Sequence, residues 1–253
     1  MDHLLKLGRI FFAAPFIAFG IEHLIFPTQT VKFVPPWVPG TTIIVYLIGL
    51  MLIAAGISIA TNFKSQITAL LLGIALFVVV VIFHIERLAP NLQDGVERTR
   101  TFETLALSGG ALALAGILQS EISELKNAVN LSAKVGRFFF AISTLIFGID
   151  HFQYAIFVAA VIPAWIPGHM FFAYFTGAAF IAAAISILIE RYATLSMILL
   201  GIMFLSWVVV LHAPRVIVRL HNGDEWASAF MALAMSGCAF TLARSMRKET
   251  GYS

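Results

Sequence analysis

One unit is written twice in this chain, 128 residues apart and without a gap. Gly8-Arg9 recurs as Gly136-Arg137, and Phe19-Gly20-Ile21-Glu22-His23 recurs as Phe147-Gly148-Ile149-Asp150-His151. The loop Pro35-Pro36-Trp37-Val38-Pro39-Gly40 recurs as Pro163-Ala164-Trp165-Ile166-Pro167-Gly168. His84, Arg87 and Glu97 recur as His212, Arg215 and Glu225, and Leu105-Ala106-Leu107-Ser108-Gly109 recurs as Leu233-Ala234-Met235-Ser236-Gly237. A duplicated unit builds its structure twice, so a site in the first half has a counterpart in the second.

The surroundings follow from the side chains. Of the 253 residues, 60% are hydrophobic and 11% are charged, against roughly 25% charged in soluble domains. Such a chain cannot cover itself with polar surface, so lipid surrounds it. Eight apolar spans are expected, over 7–26, 41–60, 67–86, 102–118, 136–157, 170–189, 193–212 and 226–243. Each is near the roughly 20 residues that cross a hydrocarbon core. Alternation at period two is absent, which argues against a β-barrel, and helices satisfy their own backbone groups in lipid. The first span is too long and too polar for a cleaved signal peptide, and its twin lies mid-chain.

Eight spans place both termini on one side. Lys6, Arg9, Lys64, Lys126, Lys134, Arg137, Arg191, Arg244, Arg247 and Lys248 fall on that side and outnumber Lys32, Arg87, Arg98, Arg100, Arg215 and Arg219 on the other. The positive-inside rule therefore puts the termini in the cytoplasm. With four spans per half, the halves run in the same direction across the membrane, related by a pseudo-two-fold along its normal. The expected architecture is all-α: two tandem parallel four-helix bundles, 1–118 and 135–253, joined by a cytoplasmic amphipathic connector over 119–134. Small residues such as Gly49, Ala55 and Gly56 allow close helix contact.

Ionisable groups at membrane depth mark functional sites by default. The candidate binding residues are His23, Trp37, His84 and Arg87 in the first half, with His151, Trp165, His212 and Arg215 in the second. All gather at the non-cytoplasmic face. Paired imidazoles suit a metal or haem iron. Histidine beside a carboxylate suits proton exchange with a bound quinone. The plainer readings are interfacial histidines bonded to helix ends, tryptophans anchored at the interface, and Arg9 and Arg137 extended to lipid headgroups. Glu97 and Glu225 precede a helix and suit its amino-terminal dipole. Cys238 stands alone, which excludes an intrachain disulfide and a thiol pair. No basic stripe points to nucleic acid.

The Gly-Arg opening, the Phe-Gly-Ile-Glu/Asp-His segment, the Pro-rich Trp-x-Pro-Gly loop and the small-residue second helix resemble the DoxX/DoxD-like family of bacterial membrane proteins. The resemblance covers about 7–118 and 135–244, as two fused copies of a unit that is usually single. It implies a four-helix bundle in the bacterial inner membrane. Some members of that family are subunits of membrane oxidoreductases, including one that passes electrons from thiosulfate to quinone, others belong to thiol or oxidative-stress complexes, and many have no assigned role; the absence of loop cysteines here argues against a thiol relay. No catalytic residue carries over from the resemblance. The expected function is a quinone-linked redox subunit that receives electrons from a membrane or periplasmic partner. A non-enzymatic scaffold of a larger electron-transfer or photosynthetic complex is the alternative, and a small-solute transporter the third. Quinone ranks ahead of haem or metal as cofactor.

Overall fold

A computed structural model of the chain describes residues 2–32, 34, 37–118 and 126–249. Among them helix is the only regular secondary structure. The first half holds α1 (Asp2–Ile25), α2 (Pro27–Val31), α3 (Thr41–Thr61), α4 (Ser65–Val79), a π-helical turn at Val80–His84, α5 (Ile85–Leu88) and α6 (Gly95–Ile117). The second holds α7 (Lys126–Gln153), α8 (Ala155–Val161), α9 (His169–Leu188), α10 (Ala193–Trp207), a second π-helical turn at Val208–His212, α11 (Ala213–Val218) and α12 (Gly223–Glu249). Local chemistry fixes several boundaries. Asp94 caps α6 by accepting hydrogen bonds from the amides of Val96 and Glu97. The Pro-Gly loops end on Gly40 and Gly168, whose φ values of 65° and 75° favour glycine as α3 and α9 begin.

Among the described residues, seven helical stretches are long and apolar enough to cross a membrane, which makes the chain a multi-pass membrane protein. The eighth long helix, α6, is not among them. It begins earlier than the sequence suggests and carries Glu97, Arg98, Arg100 and Glu103 in its first turns. Its apolar remainder is covered by protein, since Ala106 through Ala115 are all buried. The connector also differs from expectation. Residues 119–125 lie outside the described residues, while 126–134 form the opening turns of α7 rather than a separate linker.

The halves interlock. α1 packs on α3 and on α12, while α7 packs on α9 and on α6. The first long helix of each half thus lies against the fourth of the other, and α6 and α12 cross at the centre. The recurring glycines explain these crossings. Gly109 on α6 meets Gly136 on α7, where an added Cβ would stand 2.5 Å from the Gly136 carbonyl oxygen. At the matching positions, Gly237 on α12 packs on the backbone of Phe11 and Phe12, and Gly8 on α1 packs on Phe240 and Thr241. Gly20 with Gly49 and Gly148 with Gly177 bring the first and second long helices equally close. Without side chains at these points the backbones approach and gain dispersion contact that lipid cannot replace.

Arg9 and Arg137 correct one reading. Neither reaches toward headgroups alone. Arg9 donates to Asn62 Oδ1 at 2.6 Å, and Arg137, buried, lies 3.9 Å from Glu190. Asn62 and Glu190 are matching residues, and both hold left-handed backbone just after α3 and α9, with φ of 63° and 56°. Each arginine therefore stands at the carbonyl end of the second long helix, where positive charge is favoured.

Candidate functional site

The π-helical turns place the third-helix histidines. Val80–His84 and Val208–His212 each insert a widened turn that ends on the histidine. Pro214 is not the cause, because Glu86 stands in its place in the first half and the turn forms there too. Such widened turns are often found at functional sites. At the end of each turn, the Nδ1 atoms of His84 and His212 are buried with no hydrogen-bond partner.

The tautomer of His84 follows from its neighbour. Thr104 Oγ1 donates its one proton to the Arg100 carbonyl at 2.9 Å, so it must accept at 3.1 Å from His84 Nε2. Nε2 thus carries the hydrogen, and Nδ1 presents a bare lone pair. Ala232 replaces Thr104 in the second half, so His212 has no such constraint.

His23 and His151 behave differently. Each directs Nδ1 at 2.7 Å to a carbonyl of its own helix, Phe19 or Phe147. A carbonyl only accepts, so Nδ1 holds the hydrogen in both. The plain helix-bonded reading thus describes these contacts. His151 is further boxed by aromatic rings: Phe180 stands edge-on at 5.1 Å and Trp207 lies nearly parallel at 6.3 Å. Leu52 and Val79 hold the matching positions in the first half, so that box exists once.

Arginine–glutamate clusters flank the π turns. Arg87 meets Glu97 through two hydrogen bonds of 3.2 and 3.3 Å, and Arg100 reaches the same carboxylate at 3.2 Å. Arg215 and Arg219 meet buried Glu225 at 2.8 and 3.0 Å. Glu97 and Glu225 are therefore partners of arginine pairs, beyond any helix-dipole role. The second arginine arises from unrelated positions, since Arg100 matches Ser228 and Arg219 matches Asn91. Each half still ends with two cations on one carboxylate beside a histidine.

The structure thus sets His84 within electrostatic reach of Arg87, Arg100 and Glu97, and His212 within reach of Arg215 and Glu225. No hydrogen bond or ring contact joins His23 to His84. Trp37 and Trp165 stand 62% and 71% exposed; Trp37 donates to Glu86 at 3.4 Å, and neither reaches a histidine. Pro35 and Pro36 lie outside the described residues. No group of three metal-type ligands occurs among the described residues.

Two features escaped the sequence reading. Arg98 on α6 pairs with Asp150 on α7, bonds Gln153 at 2.7 Å and lies over the Tyr154 ring at 5.2 Å. Tyr154 also donates to the Gln93 carbonyl at 2.7 Å. Nothing matches this latch in the other crossing, where Trp226 stands for Arg98 and Glu22 for Asp150. Glu103, half-buried on α6 near Arg100, matches Met231. In both cases the signal in the sequence is a departure from the repeat rather than an agreement with it.

The DoxX family model matches residues 4–85. That stretch runs from α1 through the first π turn and ends one residue after His84. No curated protein and no solved structure matches the chain. Across α1, α3, α4 and the histidine turn, the chain is similar to the DoxX family.

Proposed function

We propose that this protein is the membrane subunit of a quinone-linked redox system, with one ligand site in each half at the end of the bundle that carries the loops after α1 and α4. The topology argued from charge makes that end periplasmic in a bacterial inner membrane. The observation behind the reading is the pair of buried, unpartnered imidazole nitrogens at His84 and His212. A buried polar atom without a partner is costly, and a lone pair held at a fixed position accepts a hydroxyl proton. A quinone supplies that chemistry when bound, since it carries two electrons and two protons between its dione and diol forms. Arg87 and Arg215 would orient the head group, while Glu97 and Glu225 hold those arginines in place. Among the described residues the chain offers no metal cluster or thiol pair, so electrons come from a partner protein.

The test is chemical. Protein purified in mild detergent is extracted with organic solvent, and the extract is read by ultraviolet difference spectrum before and after borohydride. Near-stoichiometric quinone supports the proposal. Extracts without quinone, together with no binding of added quinone, overturn it.

A scaffold role is the second reading, and the Arg98–Asp150 latch favours it. That pair spends charged groups on holding the halves together and leaves them unavailable for chemistry. Stoichiometric co-purification of a partner with no bound quinone is its mark.

A further inference from the structure

The halves diverge most sharply in the short helix that follows the first long one. In α2 the sequence is Pro-Thr-Gln-Thr-Val, with Lys32 next. In α8 it is Ala-Ile-Phe-Val-Ala-Ala-Val. At the repeat offset Ile156 replaces Thr28, Phe157 replaces Gln29, Val158 replaces Thr30 and Ala160 replaces Lys32. Every polar side chain of this short helix has become apolar. The change is not absorbed by packing. α8 rests on α9 through its small buried residues Ala155 and Ala159, and leaves Ile156 82% and Phe157 70% exposed.

We propose that α8 is seated in lipid, at the boundary between headgroups and acyl chains, while α2 faces water. The occupant of the exposed face follows from its surroundings. Next to it in the fold is the outward face of α9, where Phe171 and Phe175 are exposed on a helix long and apolar enough to span a membrane. Exposed Trp165 follows α8 in the chain, and Tyr174 is exposed on α9. Aromatic rings of this kind favour the headgroup level. α8 itself carries no charge with which to remain in water. In the first half the corresponding rim carries Thr28, Thr30 and Lys32, which are satisfied by water. The molecule therefore sits asymmetrically, its second half immersed further at this end. The second rim opens toward lipid, where a membrane-dissolved compound resides, and the first toward water.

Single cysteines at Ile156, Phe157, Thr28 and Thr30 carry a nitroxide in the full chain reconstituted in phosphatidylcholine vesicles. Native Cys238 is buried, and its failure to label reports that each variant is folded. Power saturation compares collision with oxygen, which concentrates in lipid, and with a water-soluble nickel chelate. Severalfold preference for oxygen at 156 and 157, with preference for the chelate at 28 and 30, is the expected result. Chelate access at 156 and 157 equal to that at 28 overturns the proposal. Protection of 156 and 157 from both reagents also overturns it, because protein rather than lipid then covers α8.

Discussion

Gly110 and Cys238 occupy the same position in the two halves and meet each other where α6 crosses α12. The Cys238 sulfur lies 3.9 Å from the Ala106 carbonyl oxygen, and a Cβ added at Gly110 would overlap that sulfur and stand 3.0 Å from the Cys238 Cβ. One half supplies the side chain and the other supplies the space. Gly110→Ala overpacks this point and is expected to cost about 1–3 kcal/mol. Gly110→Ala with Cys238→Gly exchanges the roles and recovers most of the loss. Thermal unfolding in detergent measures both. Equal loss in the single and double variants contradicts the account.

The Arg98–Asp150 pair predicts an asymmetry between crossings that otherwise correspond. Both side chains are largely buried, 15% and 11% exposed. Arg98→Met leaves a buried carboxylate without its cation, and breaking such a pair costs about 3–5 kcal/mol. Glu22, at the matching position, has no cationic partner among the described residues, and Asp224 is its charged neighbour. Glu22→Gln is therefore expected to change stability by less than about 0.5 kcal/mol. The same unfolding measurement checks both variants. Comparable losses would show that the crossings are held alike.

Interlocked first and fourth helices make the halves interdependent. A gene divided between Ile122 and Ser123 is expected to yield folded protein only when both pieces are co-expressed. Either piece alone exposes the faces that α1 and α6 of the first half present to α12 and α7 of the second. Maleimide labelling of Cys238 reads the outcome: protected in the co-expressed pair, reactive in the second piece alone. Protection in that piece alone contradicts the interlock.

Much of this was legible from residue order because membranes impose simple rules. Long apolar runs find α3 and α9 to within a residue, and find α4 and α10 as single spans that run on through the π turns after them; repeat matching brings His84 and His212 to equivalent places. α6 was misjudged for a physical reason. Its charged first turns face Arg87 and Asp150 rather than water, so helix and apolar run begin at different residues. The interlock was invisible because periodicity shows which face of a helix is apolar, not which half covers it. The π turns leave no mark in composition, and the Arg98 latch lay where the repeat fails.

Thr104 offers a selective change at one site. Thr104→Val keeps the shape but removes the oxygen that fixes the His84 tautomer. Loss of one such hydrogen bond is worth about 1 kcal/mol, so affinity at the first site for the diol (quinol) form, whose hydroxyl donates to Nδ1, is expected to fall severalfold. The second site has Ala232 there and is unchanged. Isothermal titration with a short-chain quinol under reducing conditions distinguishes a two-site change from a one-site change, and equal weakening of both sites contradicts the assignment.

The claim that His84 and His212 each contact a quinone is tested most directly by His84→Ala, His212→Ala and the double variant, with quenching of tryptophan fluorescence during titration with a short-chain quinone. The account predicts half the binding stoichiometry in each single variant and none in the double, with Cys238 protected throughout. Unchanged stoichiometry in the double variant would contradict it.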